Sequence, residues 1–118
     1  MTKPIITYEQ FSALDIRIGE IKSVAVVDGA DRLLRLSVDV GDTDVDGQPR
    51  LRQIVSGIRE FFPEPQVLVG QRCPFLINLE PRIIKGVESQ GMILAGQSDD
   101  GLALLKPHRE LPAGTAIL

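Results

Sequence analysis

Apolar and polar side chains alternate along most of this chain, which is the pattern of strands that bury one face. The clearest alternation covers residues 34–40, where leucine and valine take every second position. An earlier run, residues 14–27, alternates as well, but its phase slips by one position near Gly19. A slip beside a glycine is typical of a bulge or a sharp bend. The first strand is therefore predicted to be long and bent.

Shorter apolar runs predict the remaining elements. Strands are expected at residues 53–57, 71–79, 91–95 and 102–107, with polar turns at 28–32 and 97–101. Residues 58–62 can form one or two helical turns before Pro63 and Pro65 end them. In the strand at 71–79, one face carries only apolar side chains: Cys73, Phe75, Ile77 and Leu79.

The order of these elements predicts an all-β protein. Three strands, a short helix and two more strands follow the order of the OB-fold, a five-stranded Greek-key barrel. Here the barrel would carry the short helix between strands three and four, together with extra terminal strands. A flatter β-sandwich would need about seven strands, so it ranks second. With 118 residues, 43% of them hydrophobic, and no repeat or linker, the chain suits one domain over residues 1–118.

The side chains that enzymes use are few and scattered. Cys73 is the single cysteine and falls on an apolar strand face, where cysteine behaves as a small hydrophobic residue. His108 is the single histidine and lies in a predicted loop. Transition-metal sites need clusters of such ligands. We therefore expect no enzymatic activity, no metal and no cofactor.

A polar loop at residues 41–50 is rich in aspartate. Asp42, Asp44 and Asp46, followed by Gly47, match the start of a calcium-binding loop. However, Gln53 stands where that loop needs a bidentate glutamate, and strands rather than helices flank it. We interpret the segment as a solvated hairpin loop.

The cellular compartment follows from two further features. A lone cysteine cannot form an internal disulfide, which favours a reducing compartment. The N-terminus lacks the apolar centre of a signal peptide, and no apolar run approaches the roughly 18 residues of a membrane span. A soluble, cytoplasmic protein without membrane contact is expected.

One segment, "NLEPRIIKGVESQGMIL" at residues 78–94, combines features that suit a nucleic-acid site. Pro81 should end the preceding strand and place Arg82 and Lys85 at the mouth of the barrel, with the pair Ile83 and Ile84 sealing its end. Arginine binds phosphate bidentately and lysine supplies a point charge. The OB-fold binds looped nucleic acid on this face. A loop with ordinary surface charges is the alternative that these residues leave open.

The other polar residues of this segment extend the site. Asn78, Ser89 and Gln90 offer donors and acceptors for a base edge or a 2′-hydroxyl, and Met92 offers a polarizable surface. The net charge of −3 argues against a bulk polyanion binder but allows a small basic face.

Several stretches resemble a known family: "FSALDIRIGEI", "RQIVSGI", "INLEPRIIKGVESQGMILAG" and "GLALLKPHRELPAGT". They are similar to the tRNA-binding domain at the C-terminus of bacterial methionyl-tRNA synthetase, in endothelial monocyte-activating polypeptide II, in free-standing tRNA-binding proteins and in CsaA-type chaperones. The resemblance covers about residues 11–118. The acidic loop at 41–50 stands as an insertion relative to the family pattern.

The resemblance implies a homodimeric OB-fold that binds tRNA or another structured RNA without catalysis, and it suggests an aminoacyl-tRNA synthetase as a partner. The implied RNA-binding residues are Asn78, Arg82, Lys85, Ser89, Gln90 and Met92, with Arg52 and Arg17 added from neighbouring positions. For Arg17, RNA binding and a structural role in the first strand are both open. The alternative function is that of a CsaA-like export chaperone that binds unfolded polypeptides.

Overall fold

The computed structural model describes residues 2–118, which form nine strands, one α-helix and two 3-10 helices. In chain order the helix and strands are α1 (Tyr8–Ser12), β1 (Ile16–Val27), β2 (Ala30–Asp39), β3 (Arg52–Ser56), β4 (Arg72–Leu76), β5 (Arg82–Ile84), β6 (Val87–Ser89), β7 (Met92–Ile93), β8 (Ala95–Ser98) and β9 (Gly101–Leu104). The 3-10 helices, Arg59–Phe61 and Pro65–Leu68, lie between β3 and β4.

Five of the strands form one antiparallel sheet in the order β3-β2-β1-β4-β7. The long central strand β1 pairs with β4 along residues 16–20 and with β2 along residues 20–27. Its register with β2 shifts between Ile21 and Ser23, close to the predicted slip near Gly19. The long, bent first strand is thus confirmed, and the bend lets one strand serve two halves of a curled sheet.

The sheet closes into a small OB-like barrel where residues 89–91 meet the free edge of β3. The Gln90 backbone N–H donates to the Gln53 carbonyl at 2.7 Å. The Ser89 hydroxyl accepts from the Val55 N–H at 2.9 Å. We call residues 89–91 the seam. The predicted fold class, an OB-fold barrel with a short helical segment between strands three and four, is confirmed.

The core lies inside the curled sheet and contains the apolar face of β4. Cys73, Phe75 and Ile77 are buried, as their alternation predicts. Leu79 was expected on the same face, but it is exposed. The reason is that β4 ends at Leu76 and the chain leaves the sheet. The Ile77 N–H still donates to the Asp15 carbonyl, directly before β1, at 2.9 Å, so the position of Ile77 is fixed but that of Leu79 is not.

Three boundaries differ from the expectation. Pro65 begins the second 3-10 helix rather than ending a helix, because proline lacks only a donor that the first helical position does not use. The strand predicted at 91–95 is split between β7 and β8, which belong to different sheets. Residues 82–89, predicted to be a loop, form the separate hairpin β5–β6.

Candidate nucleic-acid interface

The β5–β6 hairpin occupies the loop between β4 and β7, the fourth and fifth strands of the barrel along the chain. Ile84 pairs with Val87, which leaves Lys85 and Gly86 as a two-residue turn. Both turn residues have positive φ, 51° and 80°, as type I′ hairpin turns require. The turn therefore places the Lys85 side chain at the tip of the hairpin.

The two cations of this hairpin are available to a ligand. Arg82 and Lys85 are exposed. Within residues 2–118, neither side chain makes an ion pair or a hydrogen bond. The expectation that Ile83 seals the barrel is wrong, since 70% of its surface is exposed. Consecutive strand residues point to opposite faces, so only the half-buried Ile84 turns inward.

A cleft of about 390 Å³ separates the hairpin tip from the β1–β2 turn. We call it the hairpin cleft. Its cations are Arg32 and Lys85, and its apolar wall includes Leu33 and Ile84. In OB-folds, the loops after the first and fourth strands flank bound oligonucleotides. These two loops border the cleft, so its position matches a nucleic-acid site.

Arg52 has a different environment, because its guanidinium is bonded within the protein. Its Nε donates to Asp42 Oδ2 at 2.9 Å. Its Nη1 donates to the carbonyls of Ile77 and Gln90, the latter at 3.2 Å. One side chain thus joins β3, the end of β4 and the seam, which is a structural role.

Arg17 is bonded in a similar way. Its Nε and Nη2 form a bidentate pair with Asp15 at 3.1 and 3.0 Å, and its Nη1 donates to the Val40 carbonyl at 3.2 Å. Asp42 lies 3.4 Å from the same Nη1 and so bridges Arg17 to Arg52. The hydrogen bond to Asp15 is the main cause that raises the pKa of Arg17 above its ordinary value. Of the two roles left open for Arg17, these contacts favour the structural one.

Arg17, Asp42 and Arg52 are called the Asp42 network below. Because each arginine donates to backbone carbonyls as well as to carboxylates, the network ties β1, the loop after β2 and β3 to the seam. Its cations are largely neutralised by Asp15 and Asp42.

Asn78, which is exposed, and Ser89, which is buried, both hydrogen-bond to other residues of the protein. Asn78 accepts the Asp15 N–H at 2.8 Å and donates to the Ala13 carbonyl at 2.6 Å, fastening the segment that precedes β1. Ser89 is only 4% exposed, and its hydroxyl donates to the Gly91 carbonyl at 3.0 Å while accepting from Val55. Ser89 was expected to face a ligand, but its burial in the seam leaves no surface for one.

Gln90 and Met92 complete the expected set. The Gln90 side-chain oxygen accepts the Gln53 N–H at 3.1 Å, and the residue is half-buried. Together with Arg52 and Arg50, Gln90 lines a smaller pocket of about 200 Å³. Met92 is 41% exposed on β7. The structure therefore brings Arg52 and Gln90 into one pocket and places Lys85 in the separate hairpin cleft.

Two exposed cations that border these pockets, Arg32 and Arg50, were missed by the sequence reasoning. The predicted fold could have identified Arg32, because an OB-fold brings the turn between its first two strands close to the loop between its fourth and fifth strands. For Arg50 the sequence offers no comparable signal, since its position depends on the path of the acidic loop.

The acidic loop folds upon itself. The Asp44 carboxylate accepts hydrogen bonds from the N–H groups of Asp46 and Gln48 at 2.8 and 3.0 Å. Thr43 and Pro49 form an isolated antiparallel β-bridge. These contacts agree with the interpretation of a hairpin loop. Among residues 2–118, no three metal-ligating side chains are grouped closely enough to hold an ion. In the same range, no helix has the length and apolar character needed to cross a membrane.

The curled sheet and the basic hairpin that interrupts it define an OB-like binding domain. The family described as "Putative tRNA binding domain" matches residues 16–116, and the chain belongs to this family. Among curated proteins, a methionine–tRNA ligase of Methanothrix thermoacetophila is 44% identical over 115 residues. One from Streptococcus pyogenes serotype M18 is 44% identical over 116 residues. Each alignment covers 98% of this chain but 16% of the ligase.

Solved structures show the same likeness along whole chains. A methionyl-tRNA-synthetase-related protein from Pyrococcus horikoshii superposes with a TM-score of 0.84 at 29% identity, over 98% of this chain and all of that one. The chaperone CsaA from Bacillus anthracis gives a TM-score of 0.80 at 28% identity, with the same coverage. A methionyl-tRNA-synthetase-related protein and a CsaA-type chaperone, two of the kinds of protein to which the sequence is similar, therefore share this fold.

Proposed function

We propose that this domain binds folded tRNA without catalysing a reaction. The main contact in this proposal is the hairpin cleft, which includes Lys85, together with Arg82 on the same hairpin. The observation that carries the proposal is the state of these two cations. They are exposed and unpaired among residues 2–118, in a loop that flanks nucleic acid in OB-folds. Membership of the family described as a putative tRNA binding domain supports tRNA as the nucleic acid.

The expected site residues divide into two groups under this proposal. Arg82, Lys85 and Met92 contact the RNA, because their side chains are exposed. Gln90 contacts it through its side-chain NH2 group, since its side-chain oxygen is bonded to the Gln53 N–H. Arg17, Arg52, Asn78 and Ser89 shape the site, because their polar atoms are bonded within the protein. Arg32 joins the contact group because it borders the hairpin cleft.

The test is the affinity for folded tRNA of the double variant Arg82→Glu/Lys85→Glu. Each phosphate contact that becomes repulsive removes a charge-assisted interaction, so affinity should fall about 100-fold or more. The matched control is Lys3→Glu/Arg59→Glu, which changes net charge equally at cations that lie outside both the hairpin and the hairpin cleft. Fluorescence anisotropy measures both. Equal affinities for the two double variants would refute the proposed site.

Salt dependence gives a second measure. Phosphate contacts release counterions, so the logarithm of the association constant should fall linearly as the logarithm of salt concentration rises. The hairpin variant should show a shallower slope than the parent. A parent protein whose binding does not change between low and physiological salt would contradict a phosphate-based site.

We also propose that the domain is a homodimer assembled through its terminal segments. Apolar side chains are exposed there to an unusual degree, since Ile5 and Leu118 are fully exposed and Tyr8 is 82% exposed. Apolar patches of this kind mark association surfaces. Sedimentation at micromolar concentration should give a mass near twice 12.9 kDa. A monomer under those conditions would rule out this assembly.

The chain spans about a sixth of the length of the methionine–tRNA ligases that it matches. We propose that it serves such a synthetase in the cytoplasm by holding tRNA. Adding the domain to a methionine–tRNA ligase that lacks it should lower the KM for tRNA and leave methionine activation unchanged. An unchanged KM would contradict the assisting role.

A chaperone function is the second candidate, and the likeness to CsaA from Bacillus anthracis supports it. The exposed Ile83 and Val26 could contact an extended apolar peptide. Competition between tRNA and an unfolded polypeptide at physiological salt separates the two functions. Retention of the polypeptide, without tRNA binding even at low salt, would establish the chaperone function and overturn the tRNA proposal.

A further inference from the structure

A second cationic cleft lies near the C-terminus, away from the hairpin. It has a volume of about 460 Å³ and lies between the start of β4 and residues 106–110. We call it the C-terminal cleft. Its charged lining residues are Glu20, Arg72, Lys106, Arg109 and Glu110, and the His108 ring lines it as well.

The carboxylate nearest to β4 in this cleft is already neutralised. Glu20 Oε1 accepts from Nε and Nη2 of Arg72 at 3.1 and 3.0 Å, and its Oε2 lies 2.7 Å from Lys22 Nζ. The hydrogen bonds from Lys22 and Arg72 lower the pKa of Glu20, so it remains ionised and paired. Arg72 also donates to the Leu111 carbonyl at 2.9 Å, which fastens the C-terminal segment to β4.

The cations on the opposite wall are not neutralised. Lys106 and Arg109 are exposed, and among residues 2–118 neither lies within ion-pair distance of a carboxylate. The one side-chain bond of Arg109 in that range is a long contact of 3.5 Å to the neighbouring carbonyl. His108 adds a ring N–H group that can donate to an anion. Glu110 also lines the cleft, and after its charge is counted against those of Lys106 and Arg109 the cleft keeps a net positive charge on a protein whose net charge is −3.

The two clefts lie in different parts of the fold and share no lining residue. The C-terminal cleft is beside Glu20 and Arg72, which pair across β1 and β4, whereas the hairpin cleft lies between the β1–β2 turn and the hairpin tip. The two clefts therefore present different cations to a ligand.

We propose that the C-terminal cleft is a second binding site for phosphate groups, and that it contacts the backbone of the same RNA that the hairpin cleft holds. The inference rests on the proposed tRNA function. Lys106 and Arg109 supply the charge, His108 donates a hydrogen bond, and the Glu20–Arg72 pair positions the segment that carries them. A folded RNA is long enough to reach both clefts, whereas a single free phosphate is not.

Charge reversal tests the cleft. In Lys106→Glu/Arg109→Glu, affinity for tRNA should fall about tenfold or more, and the salt slope should shrink by about one to two units. The control Lys3→Glu/Arg59→Glu should keep the parental slope. Parental affinity and slope in the C-terminal variant, alongside lost binding in the hairpin variant, would overturn this proposal and leave the main function intact. A parent that does not bind tRNA would overturn both.

Chemical protection gives an independent readout on the unmodified sequence. Acetylation of lysines, followed by mass spectrometry, should show Lys85 and Lys106 protected by saturating tRNA and Lys3 unprotected. If tRNA protects Lys85 but leaves Lys106 fully reactive, the second contact is refuted while the hairpin site stands. If an unfolded polypeptide protects Lys106 and tRNA does not, the cleft recognises protein carboxylates instead.

Discussion

The β5–β6 hairpin and the Asp42 network both contain basic residues, but these residues have different roles. Arg82 and Lys85 in the hairpin are exposed and without partners among residues 2–118. Arg17 and Arg52 in the network donate to carboxylates and backbone carbonyls on several strands. The hairpin leaves its charge available, whereas the network uses its charge to hold the barrel together.

This difference shows why residue type alone is a poor guide to a binding site. A surface cation that is already neutralised gains little by meeting phosphate, because it must first give up its partner. An unpaired cation has no such partner to lose. We therefore expect changes in the hairpin to alter affinity, and changes in the network and the seam to alter stability.

The largest effect on stability should come from Gly91→Ala in the seam. Gly91 has φ 150°, and an added Cβ would lie 2.9 Å from the Leu76 carbonyl oxygen. Strain and clash together should cost about 3 kcal/mol. The matched change Gly86→Ala, at φ 80° with open space around it, should cost only about 1 kcal/mol. Urea denaturation measures both, and equal losses would mean that the seam is not tightly closed.

Ser89→Ala should have the next largest effect. The Val55 N–H would lose its buried acceptor, which costs about 1–2 kcal/mol. Because the hydroxyl faces the barrel, the folded variant should bind tRNA with parental affinity. A loss of affinity without a loss of stability would show that Ser89 contacts RNA after all, contrary to its 4% exposure.

Lys85→Asn should have a smaller effect, and it should have opposite signs on stability and binding. Lysine at φ 51° is strained, whereas asparagine before glycine suits this turn. The variant should gain about 0.5–1 kcal/mol in stability and lose about tenfold in tRNA affinity. The control Lys85→Gln removes the same charge without relieving the strain, so it should lose affinity and gain no stability. If Lys85→Asn keeps parental affinity, the lysine is not part of the site.

At neutral pH the smallest effect concerns the core, because it appears only at alkaline pH. Burial raises the pKa of the Cys73 thiol to about 11, from 9.0 for an exposed thiol. Because the folded state favours the neutral thiol, this contribution to stability is fully present below pH 9 and is lost as the pH rises to about 11. Cys73→Ala should lack this decline. Parallel stability curves for the two proteins between pH 9 and 11 would contradict the predicted burial.

The fold was predictable because the apolar alternation, the bend near Gly19 and the order of the strands are all visible in the sequence. All three indicate the same fold. The bend in β1 and the buried face of Cys73, Phe75 and Ile77 followed from period-two patterns alone. The β5–β6 hairpin was missed although "IIKGV" carries a sign of it, namely a glycine in a two-residue turn between apolar residues.

The candidate site was only partly predictable. The sequence identifies which residues are polar, but not which of them find partners inside the protein. Arg52 is the first residue of β3, the strand that meets the seam. Its partner Asp42 lies ten positions earlier, on the other side of the acidic loop. Ser89 is buried because the barrel closes at that position. Both outcomes depend on contacts between distant segments, which local patterns do not encode.

The most direct test compares Arg82→Ala with Arg52→Ala, one change at one residue type in the two regions. For each variant, the free energy of unfolding and the affinity for folded tRNA are measured together. We predict that Arg82→Ala lowers affinity about tenfold and leaves stability unchanged, whereas Arg52→Ala lowers stability by about 2 kcal/mol. An Arg82→Ala protein that keeps its affinity, or that is destabilised as much as Arg52→Ala, would contradict the account.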